Sequence, residues 1–579
     1  MRALGLNISG YISSAALVED GRILGAACEE RLSRIKRDRS FPERVTRWSL
    51  DAAGLKLDGL DSVAVAWNPA HNLARNFGML SEANRMRGLY LAYVPNSLAA
   101  AFGLRADEVT EQAIFGRRIQ YVDHHLAHAA STCFTSPFES GAVVTIDAFG
   151  ENDTLTIGTF NGNNISLAER IQFPHSVGSF YSYLTEFLGF KPDSDEYKVM
   201  ALGAFGDPEE GLALKKKLEK TYRLGIADGK LVFQLDLSLF DHYLFHRPRD
   251  FSALERHLGM PARKGGEQLK QQHFSLAWAQ QACFEEMVMH ILHHARTITG
   301  ETRVALAGGC FMNSVVNGKL EQQGSPFDSV FIPPYPDDSG TAMGAALWAT
   351  LQGRQGIQRF PYRHNFFGPY ITPESAIQAV ERRKLPYLLL DNPAAEIAAR
   401  VAQGEIVGYA AGAMEFGQRA LGHRSIFADP RDKQVKDRVN QHVKRREWFR
   451  PYAASVLAET ISDIFGFDPG FEALFMEKVG IVRPEWEERI AGILHNDKSV
   501  RVHTIDEATN PRLHAVITEF NKITGVPLIL NTSFNVDGMP IVASAEDALG
   551  CFYACGLDSL VLDNLLLTKS PTLQKVARP

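Results

Sequence analysis

Apolar residues near the start of the chain fall into short blocks, Ala3 to Ser9, Ser14 to Val18 and Ile23 to Ala27, with Glu19-Asp20-Gly21 between the last two. Blocks of that length separated by a turn-forming tripeptide read as strands, so the chain opens on a β-hairpin. A second strand signal, Gly141 to Asp147, ends in an aspartate and a glycine-containing turn, and a third, Arg303 to Ala307, runs into Gly308-Gly309. Helical patterning such as that of Ser275 to Arg296 lies between them, and strands alternating with helices predict an α/β protein. From Gln358 to Phe366 the chain is rich in aromatic, basic and proline residues, and Pro373-Glu374-Ser375-Ala376 then has the form of a helix start. A domain boundary is expected there, with one domain over 1–357 and a second over 370–579. The distal part carries further strand candidates, Ile406 to Tyr409 and Pro527 to Leu530, and no internal repeat is visible in the sequence.

Composition narrows the class. With 61 Lys and Arg against 67 Asp and Glu, the net charge of -6 over 579 residues is mild, which argues against bulk binding of nucleic acid. The first residues lack the apolar run and cleavage site of a signal peptide, and nowhere are there about 18 uninterrupted apolar residues, the length a membrane helix needs. A cytoplasmic protein without a membrane partner is expected, and a homodimer is left open. The six cysteines include no CxxC pair, which excludes a disulfide framework or zinc ribbon. Cys551 and Cys555, four apart beside aromatic residues, read as the buried side of a helix turn.

His124 and His128 stand four apart in Asp123-His124-His125-Leu126-Ala127-His128, a segment whose alanine and leucine favour helix. On a helix both imidazoles share a face, while His125 points elsewhere and is expected to be structural. Histidines so spaced are also common without a metal. Asp147, at the end of an apolar strand, and Asp338, in Asp337-Asp338-Ser339-Gly340, are candidates to complete a site, although either also suits a turn or cap. Two imidazoles with two carboxylates suit Fe(II), Mn(II) or Zn(II). Gly308-Gly309-Cys310-Phe311-Met312-Asn313 follows a strand and precedes a helix, so its backbone can approach a nucleotide closely. There is no GxxxxGK[ST] loop, which disfavours a P-loop mechanism. Farther on, Arg419 and Arg424, then Lys444 to Arg450, then Arg501 gather cations from separated places, and anion binding is their natural use beside a solvated surface. Asn531-Thr532-Ser533-Phe534-Asn535 adds amides and hydroxyls at a strand end.

Taken in order, these segments resemble the O-carbamoyltransferases of antibiotic and nodulation-factor biosynthesis, the NodU/CmcH/TobZ type. The marks are Glu29 to Lys36, His124 to His128, Gly178-Ser179-Phe180-Tyr181, Lys198 to Leu202, Gly308 to Asn313, Asp338-Ser339-Gly340, Arg419 to Ser425, Phe449-Arg450-Pro451 and Leu530 to Asn535. The resemblance spans nearly the whole chain. It implies an N-terminal domain of the actin-like ATPase superfamily, like the threonylcarbamoyltransferase of tRNA, holding the metal and acceptor site. It implies a C-terminal YrdC-like α/β domain that makes carbamoyl adenylate from carbamoyl phosphate and ATP. The carbamoyl group then passes to a small-molecule acceptor of secondary metabolism. By the same resemblance Arg424, Lys444, Arg450, Arg501 and Ser533 hold carbamoyl phosphate and nucleotide phosphates, with Asn531 beside them. Lys36, Gly308, Gly309, Asn313 and Asp338 lie around the adenylate. His124, His128, Asp147 and Asp338 bind a divalent ion, Fe2+ in this reading, and Mg2+ accompanies the nucleotide.

One position departs from the family. Where the pattern has His-Asp before Ser-Ala-Ala, this chain has Tyr11-Ile12. That histidine is the family's proposed base, and a free phenol titrates near about 10, too high for the same task at neutral pH. Tyr11 therefore stands at a catalytic position with altered chemistry. The alternatives are a phosphotransferase of the actin-like superfamily and a nucleotide-operated binding protein without transfer.

Overall fold

The opening apolar blocks form β1 (Arg2–Asn7), β2 (Ser14–Glu19) and β3 (Arg22–Cys28), an antiparallel meander whose first strand also pairs in parallel with β4 (Ser62–Val65), and β4 with β5 (Ile119–Tyr121). The sheet order is β3-β2-β1-β4-β5. Gly141 to Asp147 lies within β6 (Ser140–Gly150), which continues through β7 (Asp153–Asn161) and β8 (Asn164–Gln172) as a second antiparallel meander. After a small hairpin of β9 (Tyr222–Ala227) and β10 (Lys230–Leu235), β11 (Arg303–Ala307) pairs in parallel with β6, and β12 (Ser329–Phe331) with β11. This sheet reads β8-β7-β6-β11-β12. Each sheet is thus a three-stranded meander whose first strand pairs with one parallel strand, which in turn pairs with a second. That is the duplicated topology of actin-like domains, present although the sequence has no detectable repeat.

The described residues are 1–69, 94, 96–102, 119–244, 248–322 and 324–569. Acceptor recognition is expected from a stretch poor in motifs, Asn68 to Asp107 or Leu224 to Gln271, and most of the first lies outside the described residues. The chain divides into two compact units: Met1–Glu29, Arg37–Val316 and Gln323–Tyr362 form the first, and Glu30–Lys36, Asn317–Gln322 and Arg363–Pro579 the second. In the first, the Thr341–Leu351 helix packs on β1 and on the His124–Cys133 helix. A Cβ on Gly344 would lie 1.8 Å from the Ala127 carbonyl oxygen, so the two helices meet backbone to backbone there.

The second unit is built on β13 (Phe366–Ile371), β14 (Leu388–Leu389), β15 (Val407–Ala410), β16 (Gly412–Glu415), β17 (Arg424–Ala428), β18 (Ala453–Leu457), β19 (Lys478–Ile481), β20 (Ser499–Ile505), β21 (Leu528–Ser533), β22 (Ser559–Leu562) and β23 (Leu565–Thr568). Nine of these make one mixed sheet, β14-β23-β22-β15-β17-β21-β18-β20-β19. Helices Pro393–Ala402 and Pro511–Thr524 bury their apolar sides in its core, and each begins with an asparagine cap and a proline. Cys551 and Cys555 are buried at the end of the Ala545–Ala554 helix, in the same core. No helix among the described residues is long and apolar enough to cross a membrane.

Candidate functional site

His124 opens the His124–Cys133 helix, so His128 stands one turn further along the same face. Asp147 projects from β6, and Asp338 from the turn before the Thr341–Leu351 helix. Their ligand atoms, His124 Nε2, His128 Nε2, Asp147 Oδ2 and Asp338 Oδ1, all lie within 4.8 Å of one another. His128 Nε2 is 3.1 Å from His124 Nε2 and 3.0 Å from Asp147 Oδ2. His124 Nε2 lies 3.6 Å from Asp147 and 3.5 Å from Asp338, and His128 Nε2 3.6 Å from Asp338. Ligands at about 2.1 Å from one metal ion sit roughly 3.0 to 3.4 Å apart, and the five distances of 3.0 to 3.6 Å come close to that spacing.

The surroundings fix each donor. His124 Nδ1 lies 3.3 Å from the Ala66 carbonyl, which leaves Nε2 to bear the lone pair. With Nε2 of both rings unprotonated, the two lone pairs 3.1 Å apart would repel, and a cation between them would remove that repulsion. Burial disfavours charge on His124. The Asp338 charge and hydrogen bonds to both carboxylates outweigh it and hold the ring well above its ordinary pKa. The same contacts overcome burial to hold Asp338 well below the usual carboxylate range. These four atoms favour positive charge at their centre, and a divalent cation fits the donor set. Asp338 Oδ2 accepts from Ser9 Oγ at 2.6 Å, and Asp147 Oδ1 from the Ala148 N–H at 2.7 Å. Glu151 accepts from the backbone N–H of His124 at 3.1 Å and of Asn68 at 2.6 Å, and burial lifts its carboxyl to about 7. His125 turns into the core, 2.6 Å from Thr145 Oγ1 and 2.9 Å from the Asp153 carbonyl.

Gly308 abuts this cluster for a steric reason. Its φ is +101°, and a Cβ would lie 2.1 Å from the Ile146 carbonyl oxygen, so no other residue lets the turn run along β6. A Cβ on Gly309 would come within 3.0 Å of Asp147 Oδ1. Asn313 exchanges two hydrogen bonds with Gln281, at 2.8 and 3.1 Å, and also caps the Ser314–Gln322 helix at the Val316 N–H. Tyr11 lines a cavity of about 530 Å³ with Arg39, Trp67, Phe149, Lys191 and Asp193. Burial, then the charges of Asp193, Asp338 and Asp147, push its phenol far above the ordinary value. A phenol so raised keeps its proton and is unsuited to act as a base. Lys36 lies in the Glu30–Lys36 segment of the second unit, 3.4 Å from the buried Glu30 carboxylate.

In the second unit, Lys444 ends the π-helical turn Val439–Lys444 and is buried. Its Nζ donates to the Ser533 carbonyl, to Ser533 Oγ at 3.1 Å and to Asn535 Oδ1 at 2.8 Å. Burial, then the Arg446 and Arg450 charges, hold the amine well below its ordinary pKa. Arg450 lies 3.3 Å from Glu447 and 3.1 Å from Asp537. Arg501, on β20, is depressed by burial and then by Arg419, Arg446 and Arg450, and its buried Nε has no hydrogen-bond partner among the described residues. Four arginines repelling one another around an unpartnered buried donor are suited to an anion.

The structure corrects the expectation for Arg424. Ser425 pairs with Ser533 and Phe427 with Asn531, so strand alternation sends Arg424 to the opposite face of the sheet from Ser533 and Asn531. There its buried guanidinium donates to the carbonyls of Ala411 (2.8 Å), His423 (2.9 Å), Pro369 (3.0 Å), Gly412 (3.1 Å) and Ala543 (3.2 Å). It is a strut between backbone segments, and burial lowers its pKa to about 10. Replacing it by Met leaves these carbonyls without donors, an expected cost on the order of 3 kcal/mol. Thermal unfolding measures that cost, and phosphate affinity per folded molecule is expected to stay unchanged. The motif pointed to Arg424, whereas Arg419, five residues earlier, supplies charge beside Arg501. Ser9 stands out neither by type nor by spacing, whereas Arg419, Arg446 and Asn535 lie within the segments read above as suited to anions.

Fold and site together define an α/β protein with a duplicated actin-like unit carrying a two-histidine, two-aspartate cluster and a mixed-sheet unit carrying a buried lysine and clustered arginines. Residues 2–347 match the family described as carbamoyltransferase N-terminus, and residues 398–569 that described as carbamoyltransferase C-terminus. The chain belongs to the carbamoyltransferase family and is an enzyme of that class, of the type that includes the nodulation proteins. Nodulation protein NolNO of Sinorhizobium fredii is 33% identical over 96% of this chain and 78% of its own length. An uncharacterized protein of Synechocystis sp. is 33% identical over 99% of this chain and 97% of its own. Among solved structures, component A of the (R)-2-hydroxyglutaryl-CoA dehydratase of Acidaminococcus fermentans aligns over 60% of this chain and 98% of that one, at 14% identity and a TM-score of 0.32.

Proposed function

We propose that the second unit converts carbamoyl phosphate and ATP, with one water, to carbamoyl adenylate, phosphate and pyrophosphate. The first unit then moves the carbamoyl group to a small-molecule acceptor and releases AMP. The observation that carries this reading is the division of chemistry within one carbamoyltransferase chain. Lys444 and the arginines around Arg501 are suited to phosphates, and the His124, His128, Asp147 and Asp338 set to a divalent ion. A phosphotransferase or a binding protein gives the Lys444 and Arg501 cluster no task.

In the second unit, Lys444, kept beside Ser533 by its hydrogen bonds, and Arg450 and Arg501 stabilise charge on the phosphates as bonds to them break. Mg2+ bound with the nucleotide would supply further positive charge there. In the first unit, Gly308, Gly309, Asn313 and Asp338 are proposed to surround the adenylate. Gly308 and Gly309 offer close backbone approach, while the Gln281 contacts hold the Asn313 side chain in place. A divalent ion, Fe2+ in this reading, would be held by the four-atom cluster, where it supplies Lewis acidity toward phosphate and carbonyl oxygen. Tyr11 is proposed to orient the acceptor as a donor. Proton removal falls to Asp193 on the same cavity, whose carboxyl burial raises above the usual carboxylate value and whose Oδ1 is fixed by Ser182 Oγ at 2.8 Å.

Incubation with ATP, carbamoyl phosphate and a panel of hydroxyl and amine metabolites, followed by mass spectrometry, tests the reading. A metabolite gaining one carbamoyl group is expected, and no modified product with any acceptor would contradict transfer. Tyr11→Phe is expected to leave carbamoyl adenylate formation unchanged, measured as carbamoyl phosphate-dependent pyrophosphate release. A collapse of that signal would mean that Tyr11 serves the first half-reaction.

A further inference from the structure

We propose that the acceptor is an anion: a hydroxyl- or amine-bearing small molecule whose carboxylate or phosphate is held by Arg39 and Lys191 at the cavity beside Tyr11, with its nucleophile toward Asp193. This rests on transfer taking place in that cavity, and it names the chemical class of the acceptor.

Some of the cations near the cavity are already engaged. Arg37 donates to the Asp193 carbonyl and, at 2.7 Å, to that of Ser194, and Arg249 Nε donates to Glu186 at 3.0 Å. The Lys191 N–H donates to Asp195 Oδ2 at 3.2 Å, and the Lys191 carbonyl accepts from the Asp195 N–H at 2.9 Å, so the loop carrying Lys191 and Asp193 is held at several points. The backbone around Arg39 is fixed as well. Asp38 Oδ1 accepts from the Ser40 N–H at 2.9 Å and from Ser40 Oγ at 2.6 Å, and the Asp38 carbonyl accepts from the Ser13 N–H at 3.0 Å. Both backbones are thus set, yet the side chains of Arg39 and Lys191 line the cavity with no hydrogen bond or ion pair among the described residues.

The rest of the cavity does not balance them. Asp193 is bonded to Ser182 and faces the charges of Arg249 and Arg37. Two positive groups therefore stand against one carboxylate, and once Asp193 takes the acceptor proton both stand without a counter-charge. Tyr11 keeps its proton. Trp67 meets the His124 ring at 5.6 Å, and Phe149 lies 6.5 Å from Tyr11 and 5.1 Å from Phe173. These rings give a flat apolar wall suited to the body of a small molecule, and they bring no charge. A cationic acceptor would meet two like charges there. A carboxylate or phosphate matches the planar fork of Arg39 and the compact charge of Lys191, in a cavity of about 530 Å³, a usual volume for a small-molecule site. The adenylate is the competing anion. Its proposed place is at Gly308 and Gly309, and neither glycine lines this cavity.

The test uses a small-molecule extract of the source organism, split on an anion exchanger into a retained fraction and a neutral and cationic flow-through. Each is incubated with the full chain, ATP and isotope-labelled carbamoyl phosphate, beside an ATP-free control, and products are read by mass spectrometry. ATP-dependent labelled product is expected from the retained fraction and not from the flow-through. Treating the retained fraction with phosphatase, removed before the assay, separates the two anions: a phosphate acceptor is lost and a carboxylate acceptor survives. Both side chains are exposed, so substitution is compatible with folding. Arg39→Ala and Lys191→Ala are each expected to raise about tenfold the amount of retained fraction needed for half-maximal rate, the loss of one charge-assisted contact. Product from the flow-through alone, or half-saturation unchanged in both variants, would overturn the assignment and leave transfer standing. A rise in half-saturating ATP in place of acceptor would give the two cations to the nucleotide and overturn it as well. No product from either fraction would instead overturn transfer itself, and this assignment with it.

Discussion

His128→Ala protein is expected to lose its divalent ion and, with it, acceptor carbamoylation, while still forming carbamoyl adenylate. His128 Nε2 is the atom nearest to Asp147 and to His124 in the cluster, at 3.0 and 3.1 Å, so its removal opens one corner of the set. Loss of an outer partner of a metal ligand costs about 10- to 100-fold in affinity, and loss of a ligand is expected to exceed that. Elemental analysis of purified protein should give about one equivalent of metal for the unaltered chain and none for the variant. The retained first half-reaction matters equally, because it separates loss of the metal from general misfolding. A variant that keeps its metal would show that these four residues are not the ligands.

Lys444→Ala is expected to produce the opposite pattern. The amine is buried with its charge disfavoured, and the Ser533 and Asn535 oxygens hold it in place. Removing a buried amine that donates to developing charge in a water-poor site is expected to cut pyrophosphate release by about 100- to 1,000-fold, with metal content unchanged. Lys444→Arg is not expected to rescue it, since a planar fork does not fit the compact slot between Ser533 and Asn535. Activity within about threefold of the unaltered protein would remove Lys444 from the mechanism; a larger loss is needed to attribute transition-state stabilisation to it.

Local patterns carried much of this into the sequence. The His124–Cys133 helix is legible because its spacing and its alanines agree, and Asp147 because an apolar strand delivers it. Asp338 joins them from nearly two hundred residues away, a distance that spacing alone does not bridge. The repeat of topology between the two N-terminal sheets was invisible, because strand order is conserved there by packing and handedness without any repeat of side chains. The assignment of Arg424 failed on alternation. A motif presents Arg424 and Ser425 as neighbours, whereas a strand sends them to opposite faces, and only the pairing of Ser425 with Ser533 tells which faces the anion-binding side. The segments Glu30–Lys36 and Asn317–Gln322 belong to the second unit, and nothing in the composition of such short stretches marks that membership.

The two-step account is tested most directly by incubating the purified chain with ATP and labelled pyrophosphate, with and without carbamoyl phosphate and in the absence of any acceptor. The account predicts label entering ATP only when carbamoyl phosphate is present, with carbamoyl adenylate and no ADP accumulating. Formation of ADP without carbamoyl phosphate, or no exchange under any condition, would contradict it.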